Sequence, residues 1–344
     1  VTETYPMAMI TEPGKVEFVE RRLPALRESD VLINVRAAAI CGSDLHIYKD
    51  AHPAVTLPVT IGHELSGEVI AVGEQVRQVR PGDRVAVEPV LVCGKCYFCQ
   101  RGQYQRCTEI SFQYRQGQGG FTTHFISHEN WVHRLPDHIS YEEGALMEPL
   151  SVAVHAVKIS GLGMGESAAV FGDGPIGLLI LMVASIAGAE KVFVVGAREY
   201  RLEKALQLGA SRAINNFEED ALNTIFDETA QLGVDRAFEA VGSQTTLVQS
   251  LQALKKGGVA TLVGLFEKSE IKIPANLFVQ REITLTGSQG YNWDFQTVIE
   301  LVSQKRLNLS SIITHVLPLT ALEEGFKLLI DPDGKAIKVV VTNE

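Results

Sequence analysis

Hydrophobic and polar residues follow two different rhythms along this chain. Over the first ninety or so residues the period is short. Val16-Glu17-Phe18-Val19-Glu20 and Val31-Leu32-Ile33-Asn34-Val35-Arg36 alternate, as strands with one buried face do. Ser66 to Val76 and Arg84 to Val90 read as further strands, and Pro13-Gly14 and Pro81-Gly82-Asp83 read as turns. Short strands separated by turns predict a compact β-rich lobe. From Ser167 the rhythm lengthens. The apolar run Ser167-Ala168-Ala169-Val170-Phe171 leads into a glycine-rich turn, a long apolar helix and a second apolar strand, Lys191 to Val195. Val234 to Glu239, Gly258 to Gly264 and the edge run Ile283 to Thr286 continue the series, with helices between. This alternation predicts an α/β fold with a doubly wound parallel sheet. A helix from Asp294 to Lys305 then returns the chain to the β lobe, which ends in a strand within Gly334 to Val341. The expected division is 1–151 with 293–344 as one domain and 152–292 as the other.

Composition narrows the function classes. The 344 residues are 46% hydrophobic and 21% charged, enough to bury a core in each of two domains. The formal net charge of −10 argues against a surface built to meet phosphates of a nucleic acid. The longest apolar stretch, Ile176 to Ala189, is broken by Ser185 and Gly188 and is too short to span a bilayer. No membrane association is expected, no targeting segment is apparent, and the expected location is cytoplasmic.

Candidate chemistry concentrates between residues 41 and 148, which hold all five cysteines. Cys93, Cys96, Cys99 and Cys107 have the close spacing of a four-thiolate structural zinc site. The alternative, two disulfides, requires an oxidising compartment. Cys41 stands apart, about twenty residues before His63-Glu64. Together with Glu64 or Glu148 these residues could supply the protein ligands of a catalytic zinc. Spacing alone leaves that open, since a buried cysteine and a core histidine are usually just packing.

The glycine-rich turn reads Gly172-Asp173-Gly174-Pro175-Ile176-Gly177, a G-x-G-x-x-G between strand and helix. Its glycines serve the tight turn, the close approach of a pyrophosphate and helix–strand packing. The second strand ends at Gly196, where an NAD-binding site normally carries Asp or Glu for the adenosine 2′-hydroxyl. Arg198 and Arg201 follow, with planar donors suited to a phosphate. NADP(H) is therefore expected over NAD(H). Val241, Val263 and Ser288 lie at strand ends and are expected to rim the nicotinamide.

Several of these motifs together resemble one family. Gly62-His63-Glu64-x-x-Gly67-x-x-x-x-x-Gly73 is similar to the zinc signature of the medium-chain alcohol dehydrogenase superfamily. Cys41-Gly42-Ser43-Asp44-x-His46 resembles its ligand-and-relay segment, and the four-cysteine loop its structural zinc lobe. Met147-Glu148-Pro149-Leu150-Ser151 is similar to the sorbitol and polyol dehydrogenase branch.

The resemblance implies a GroES-like catalytic domain beside a Rossmann domain, and two zinc ions, one catalytic and one structural. It implies Cys41, His63 and Glu64 as zinc ligands, with Glu148 as ligand or as holder of the zinc-bound water. Ser43 and His46 would relay the proton, and Lys338 would reach the cofactor pyrophosphate. The substrate would be a polyol or ketose, and the edge strand would pair across a homodimer or homotetramer. One departure bears on substrate: Gly287-Ser288-Gln289-Gly290-Tyr291-Asn292 lacks the Arg by which sorbitol-like enzymes hold polyol hydroxyls. Gln289 or Asn292 would have to compensate, with Tyr48 and Phe112 lining the pocket. Butanediol- or threonine-type dehydrogenases, possibly NAD-dependent, are the enzymatic alternatives. A catalytically silent dinucleotide-binding protein is the non-enzymatic one.

Overall fold

The computed structural model describes residues 4–268 and 270–343. The chain forms two compact units, Val1–Glu148 with Phe295–Glu344, and Pro149–Asp294.

The first unit is built on antiparallel strands. Strand Asp30–Ala39 is its axis, with inward residues Val31, Ile33 and Val35 essentially without solvent. It pairs antiparallel with Glu64–Val72 on one side and Lys338–Thr342 on the other. The register sets Ala39 opposite Glu64 and also opposite Val340. The end of the axis strand therefore meets the start of both neighbours, and this brings Cys41, His63, Glu64 and Lys338 to one place.

The expected strand from Ser66 to Val76 instead spans Glu64–Val72. It stops because Gly73 lies against a neighbouring loop, where a Cβ would come within 2.2 Å of the Arg27 carbonyl oxygen. Within the strand, Gly67 crosses the axis so closely that a Cβ would lie 2.1 Å from the Asn34 carbonyl oxygen. Both glycines belong to the signature around His63, and both are needed by the backbone.

The second unit is a six-stranded, all-parallel sheet. Its strands are β1 (Ser167–Phe171), β2 (Lys191–Gly196), β3 (Arg212–Asn215), β4 (Val234–Glu239), β5 (Leu254–Leu262) and β6 (Thr284–Gly287). Their spatial order is β3-β2-β1-β4-β5-β6, so the sheet reverses direction of growth between β1 and β4. That reversal opens a crevice at the carboxyl ends of the strands, where such sheets bind dinucleotides. Strands β1 and β4 are almost wholly buried, as expected of central strands covered on both faces. No helix among the described residues is long and apolar enough to cross a membrane.

The last residue of this unit, Asp294, is fully buried. It accepts hydrogen bonds from Lys158 Nζ at 2.7 Å and the Asn292 N–H at 2.9 Å, and pairs with His155 Nδ1 at 3.1 Å. Burial alone would raise its pKa, but His155 and Lys158 outweigh that and hold it below the usual carboxylate value. A depressed folded-state pKa means the stabilisation is complete above the unfolded pKa and is lost as pH falls through the folded one. Asp294→Ala should cost on the order of 3 kcal/mol at neutral pH. The difference from wild type should shrink in acid, where the wild-type carboxyl is itself protonated. Thermal melts of both proteins at about pH 7, 4 and 2.5 check this, the last lying below the ordinary carboxylate value; a difference that stays constant down to the lowest pH would show that charge pairing is not what Asp294 contributes.

Candidate functional site

Two sets of side chains that could hold a metal ion lie in the first unit. Ligand atoms of Cys41, His63 and Glu64 all fall within 4.8 Å of one another, and so do the sulfurs of Cys93, Cys96, Cys99 and Cys107. These are the two groups of cysteine, histidine and acid side chains so clustered among the described residues.

Local structure explains the first set. Cys41 caps the helix Gly42–Tyr48 at its N-terminus, directly after the axis strand. Glu64 opens the adjacent strand and His63 immediately precedes it, where Gly62 turns the chain at φ +91°. Asp44 ties the two segments together. Its Oδ2 accepts from the Cys41 N–H at 3.0 Å and its Oδ1 from the Gly62 N–H at 3.3 Å. Oδ1 also lies 3.6 Å from His63 Nδ1. Asp44 thus orients a candidate ligand and its backbone, the supporting role that carboxylates play behind metal-binding histidines. The sequence reading gave Asp44 no role, although an acid three residues into a helix that follows a candidate ligand was a usable signal.

The electrostatics fit a cation. Burial pushes the His63 imidazole down, yet Asp44 and the Cys41 sulfur outweigh it and hold the pKa well above its ordinary value. Two acidic groups, Asp44 and Cys41, thus act on one imidazole, and a dication held by Cys41 and His63 would replace the proton that they favour. Glu148 is buried at the start of the helix Met147–Ser160, in the same unit and close enough for its charge to act on Lys338.

Lys338 departs from expectation. It is 2% exposed, and its Nζ donates to Glu64 Oε1 at 2.8 Å and to the Ile40 carbonyl at 2.9 Å. Burial lowers its pKa, but Glu64 and Cys41 more than reverse this. Its amino group is engaged by the metal set, where the sequence reading had it reach for a pyrophosphate. Tyr48 also differs: its ring stacks on Phe326 at 4.7 Å and its hydroxyl donates to the Gly14 carbonyl, so it packs the core. Phe112 does stand by the metal set, 5.8 Å from the His63 ring, with Tyr114 at 5.7 Å. Ser43 and His46 are half-buried and three residues apart, on one face of the helix Gly42–Tyr48.

The four-cysteine loop contains no disulfide, and its thiols are free. Backbone N–H groups of Cys93, Cys96 and Glu109 point at sulfurs at 3.3–3.4 Å. Backbone donors from Cys99 and Thr108 hold the Cys96 thiol down to about 5, whereas burial and neighbouring thiols push Cys99 up to about 12. Sulfurs this close do not all ionise unless a cation joins them.

In the second unit the glycine-rich turn is shaped for an anion. Gly172 has φ +134°, and a Cβ on Gly177 would lie 1.9 Å from the Gly172 carbonyl oxygen. A Cβ on Gly174 would meet nothing nearer than Arg201 Nη1 at 4.0 Å, so this side of the loop is open to a ligand. Gly174 caps the helix Pro175–Ile186 without a side-chain bond, and Pro175 has no N–H to satisfy. The N–H groups of Ile176 and Gly177 are therefore left for a phosphate. Gly196 ends β2, and the Arg198 and Arg201 side chains both donate to Tyr200 Oη, at 3.3 and 2.9 Å. Val241, Val263 and Ser288 follow the carboxyl ends of β4, β5 and β6. Beneath them lies buried Glu239, whose Oε1 accepts from Val241 N–H, Gly242 N–H and Thr246 Oγ1 at 2.7–3.0 Å.

Comparison with known proteins bears on this geometry. A model of the alcohol dehydrogenase GroES-like domain matches residues 27–137, and one of the zinc-binding dehydrogenases matches residues 175–304. A D-arabitol-phosphate dehydrogenase of Enterococcus avium is 34% identical over 96% of this chain and 95% of its own. A sorbitol dehydrogenase of Bacillus subtilis is 33% identical over 99% of both. The chain belongs to the zinc-dependent medium-chain alcohol dehydrogenases, in their polyol dehydrogenase branch. The fold agrees. The structure of 2R,3R-butanediol dehydrogenase from Bacillus subtilis superimposes with a TM-score of 0.90 at 34% identity, covering 99% of this chain and 100% of that one. A protein described as a zinc-binding dehydrogenase of Sinorhizobium meliloti, solved with NADP bound, gives 0.92 at 26% identity, covering 99% and 100%. A zinc-dependent dehydrogenase using a nicotinamide cofactor and a small-molecule substrate follows.

Asp44→Ala should weaken zinc binding at the Cys41–His63–Glu64 set by roughly 10–100-fold, the range for lost supporting carboxylates. Competition with a chromophoric chelator would read this as early release of one zinc class, the four-cysteine class being unchanged. Equal release from mutant and wild type would show that Asp44 does not support the metal.

Proposed function

We propose that this dehydrogenase interconverts a secondary alcohol of a polyol or sugar alcohol and the corresponding ketone with NADP(H). The observation that carries the reading is the Cys41–His63–Glu64 set, at one end of three paired strands and directly before the helix bearing Ser43 and His46. We assign Cys41, His63 and Glu64 as ligands of a catalytic zinc, with Glu148 beside them, and the four cysteines as a structural zinc site. The cofactor lies on Gly172, Gly174, Pro175, Ile176 and Gly177, with Val241, Val263 and Ser288 around its nicotinamide end.

When bound, zinc supplies Lewis acidity toward the substrate oxygen and the nicotinamide supplies the hydride acceptor or donor. The remaining tasks fall to the chain. Asp44 holds His63 in place, and Lys338 fixes Glu64 through two polar contacts. Ser43, a hydroxyl that both donates and accepts, passes the alcohol proton outward. His46, one helical turn on, receives it on a ring nitrogen, an imidazole being able both to accept and to pass on a proton. Phe112 and Tyr114 cover the imidazole of His63 and keep water from it. The four-cysteine loop does no chemistry; its closed ligand set ties the lobe together. The family edge pairing supports a homo-oligomer assembled through β6.

A diol such as 2,3-butanediol is the second reading. It is favoured by the absence of Arg from residues 287–292 and by the 34% identity to a butanediol dehydrogenase. Initial rates test both. NADP and NAD would be crossed with sorbitol, xylitol, arabinitol, galactitol, arabinitol phosphate, 2,3-butanediol and threonine. The expected result is highest kcat/KM for one of the polyols with NADP; a simple diol or threonine ahead of every polyol would overturn the substrate class. Arg198→Ala should raise KM for NADP about tenfold or more and leave that for NAD within about twofold, as expected for loss of one phosphate-facing charge. Equal effects on both cofactors would remove the support for NADP.

A further inference from the structure

The second position of the glycine-rich turn is an acid, Asp173, and the fold does something specific with it. Its side chain crosses from the end of β1 to the end of β2. There Oδ2 accepts hydrogen bonds from the N–H groups of Ala197 and Arg198, both at 2.9 Å. The residue is only 9% exposed. A Cβ placed on Gly196 would lie 2.5 Å from both Cβ and Oδ2 of Asp173.

Two consequences follow. The end of β2 has no room for a side chain while Asp173 stands there, so Gly196 is a steric requirement of Asp173. The acid missing from position 196 has also not left the neighbourhood. A carboxylate occupies nearly the same space, supplied by the loop instead of the strand. Two neutral N–H donors stabilise that charge without cancelling it. Arg198, whose N–H is one of those donors, and Arg201, whose Nη1 lies 4.0 Å from a Cβ placed on Gly174, both donate from their side chains to the Tyr200 hydroxyl. The adenosine ribose corner thus holds one fixed negative charge and two guanidinium groups.

We propose that Asp173 is a specificity-determining residue for the nicotinamide cofactor: its carboxylate, held at the end of β2, opposes a 2′-phosphate and keeps NAD(H) usable beside NADP(H). This rests on the reading that the glycine-rich turn binds the dinucleotide. Arg198 favours the 2′-phosphate, Asp173 disfavours it, and the ratio the enzyme shows is the balance of the two. In the strand-end arrangement one residue both repels the phosphate and receives the hydroxyl. Here the roles are divided between two residues whose backbone and side chain are bonded together.

The test uses binding as well as turnover. Asp173→Asn removes the charge and keeps an oxygen able to accept from Ala197 and Arg198. Calorimetric titration of the zinc-loaded protein with 2′,5′-ADP and with 5′-AMP isolates the 2′-phosphate from the rest of the cofactor. Asp173→Asn should tighten 2′,5′-ADP by about tenfold while moving 5′-AMP less than about threefold, the scale of one screened charge pair. The ratio of kcat/KM for NADP over NAD should rise in parallel. An unchanged or falling 2′,5′-ADP preference would overturn the proposal and leave Asp173 as an anchor of the turn. Should Asp173→Asn melt well below wild type, Asp173→Ala is read by the same titrations. Arg198→Ala separates the two readings: if it leaves 2′,5′-ADP binding intact the NADP reading fails, whereas the proposal for Asp173 stands or falls on the charge-removal variants alone.

Discussion

Glu64 is a carboxylate with no access to water, and the need to compensate it organises the chemical end of the first unit. An isolated charge in such a place is strongly unfavourable, and it persists only with a partner and further hydrogen bonds. Lys338 supplies the partner, 274 residues away in sequence. The pairing is possible because the strands carrying the two residues flank the axis strand Asp30–Ala39 on opposite sides and start at the same level. Cys41 leaves the axis strand at that level too. Asp44 then balances His63, which the anionic neighbourhood has made more basic. The result is a group of acids and bases that compensate one another, with the Cys41 sulfur, the His63 ring and the Glu64 carboxylate, donors of the kind zinc takes, converging within 4.8 Å.

How much of this was legible follows from where each interaction is written. Motifs whose residues are close in sequence could be read directly. The four cysteines span fifteen residues, and the glycines around His63 mark close backbone approaches that only glycine permits. β1 was also apparent in full, because a central parallel strand is a short continuous apolar run; β4 was read at its full length although Asp235, Arg236 and Glu239 interrupt its apolar residues. β3 was not recognised: its four residues, Arg212-Ala213-Ile214-Asn215, bury only Ile214 fully, as an edge strand does, and no pattern of two or 3.6 emerges from so short a run. Lys338 and Tyr48 were assigned to ligands because their true partners, Glu64 and Phe326, lie hundreds of residues away. Asp44 was overlooked for a different reason. It acts through the segments that carry Cys41 and His63, and its place just after Cys41 marks it only once that helix is known to start there.

The cofactor corner shows the limit of reading one position at a time. Gly196 suggested that the charge hostile to a 2′-phosphate had been removed. In three dimensions the same volume holds the Asp173 carboxylate, bonded to the backbone that carries Arg198. Absence of an acid from a strand end is therefore weak evidence of its absence from the site, because the glycine-rich turn and the end of β2 are adjacent wherever this βαβ unit forms. What distinguishes the two cases is a steric relation. A side chain at the second loop position that turns toward β2 requires glycine at the strand end, so the pair Asp173 and Gly196 carries information that neither residue carries alone. On the assignment proposed for Asp173, the net charge presented across two loops bears on cofactor choice, and a single strand-end residue reports that charge only when the loop beside it is neutral.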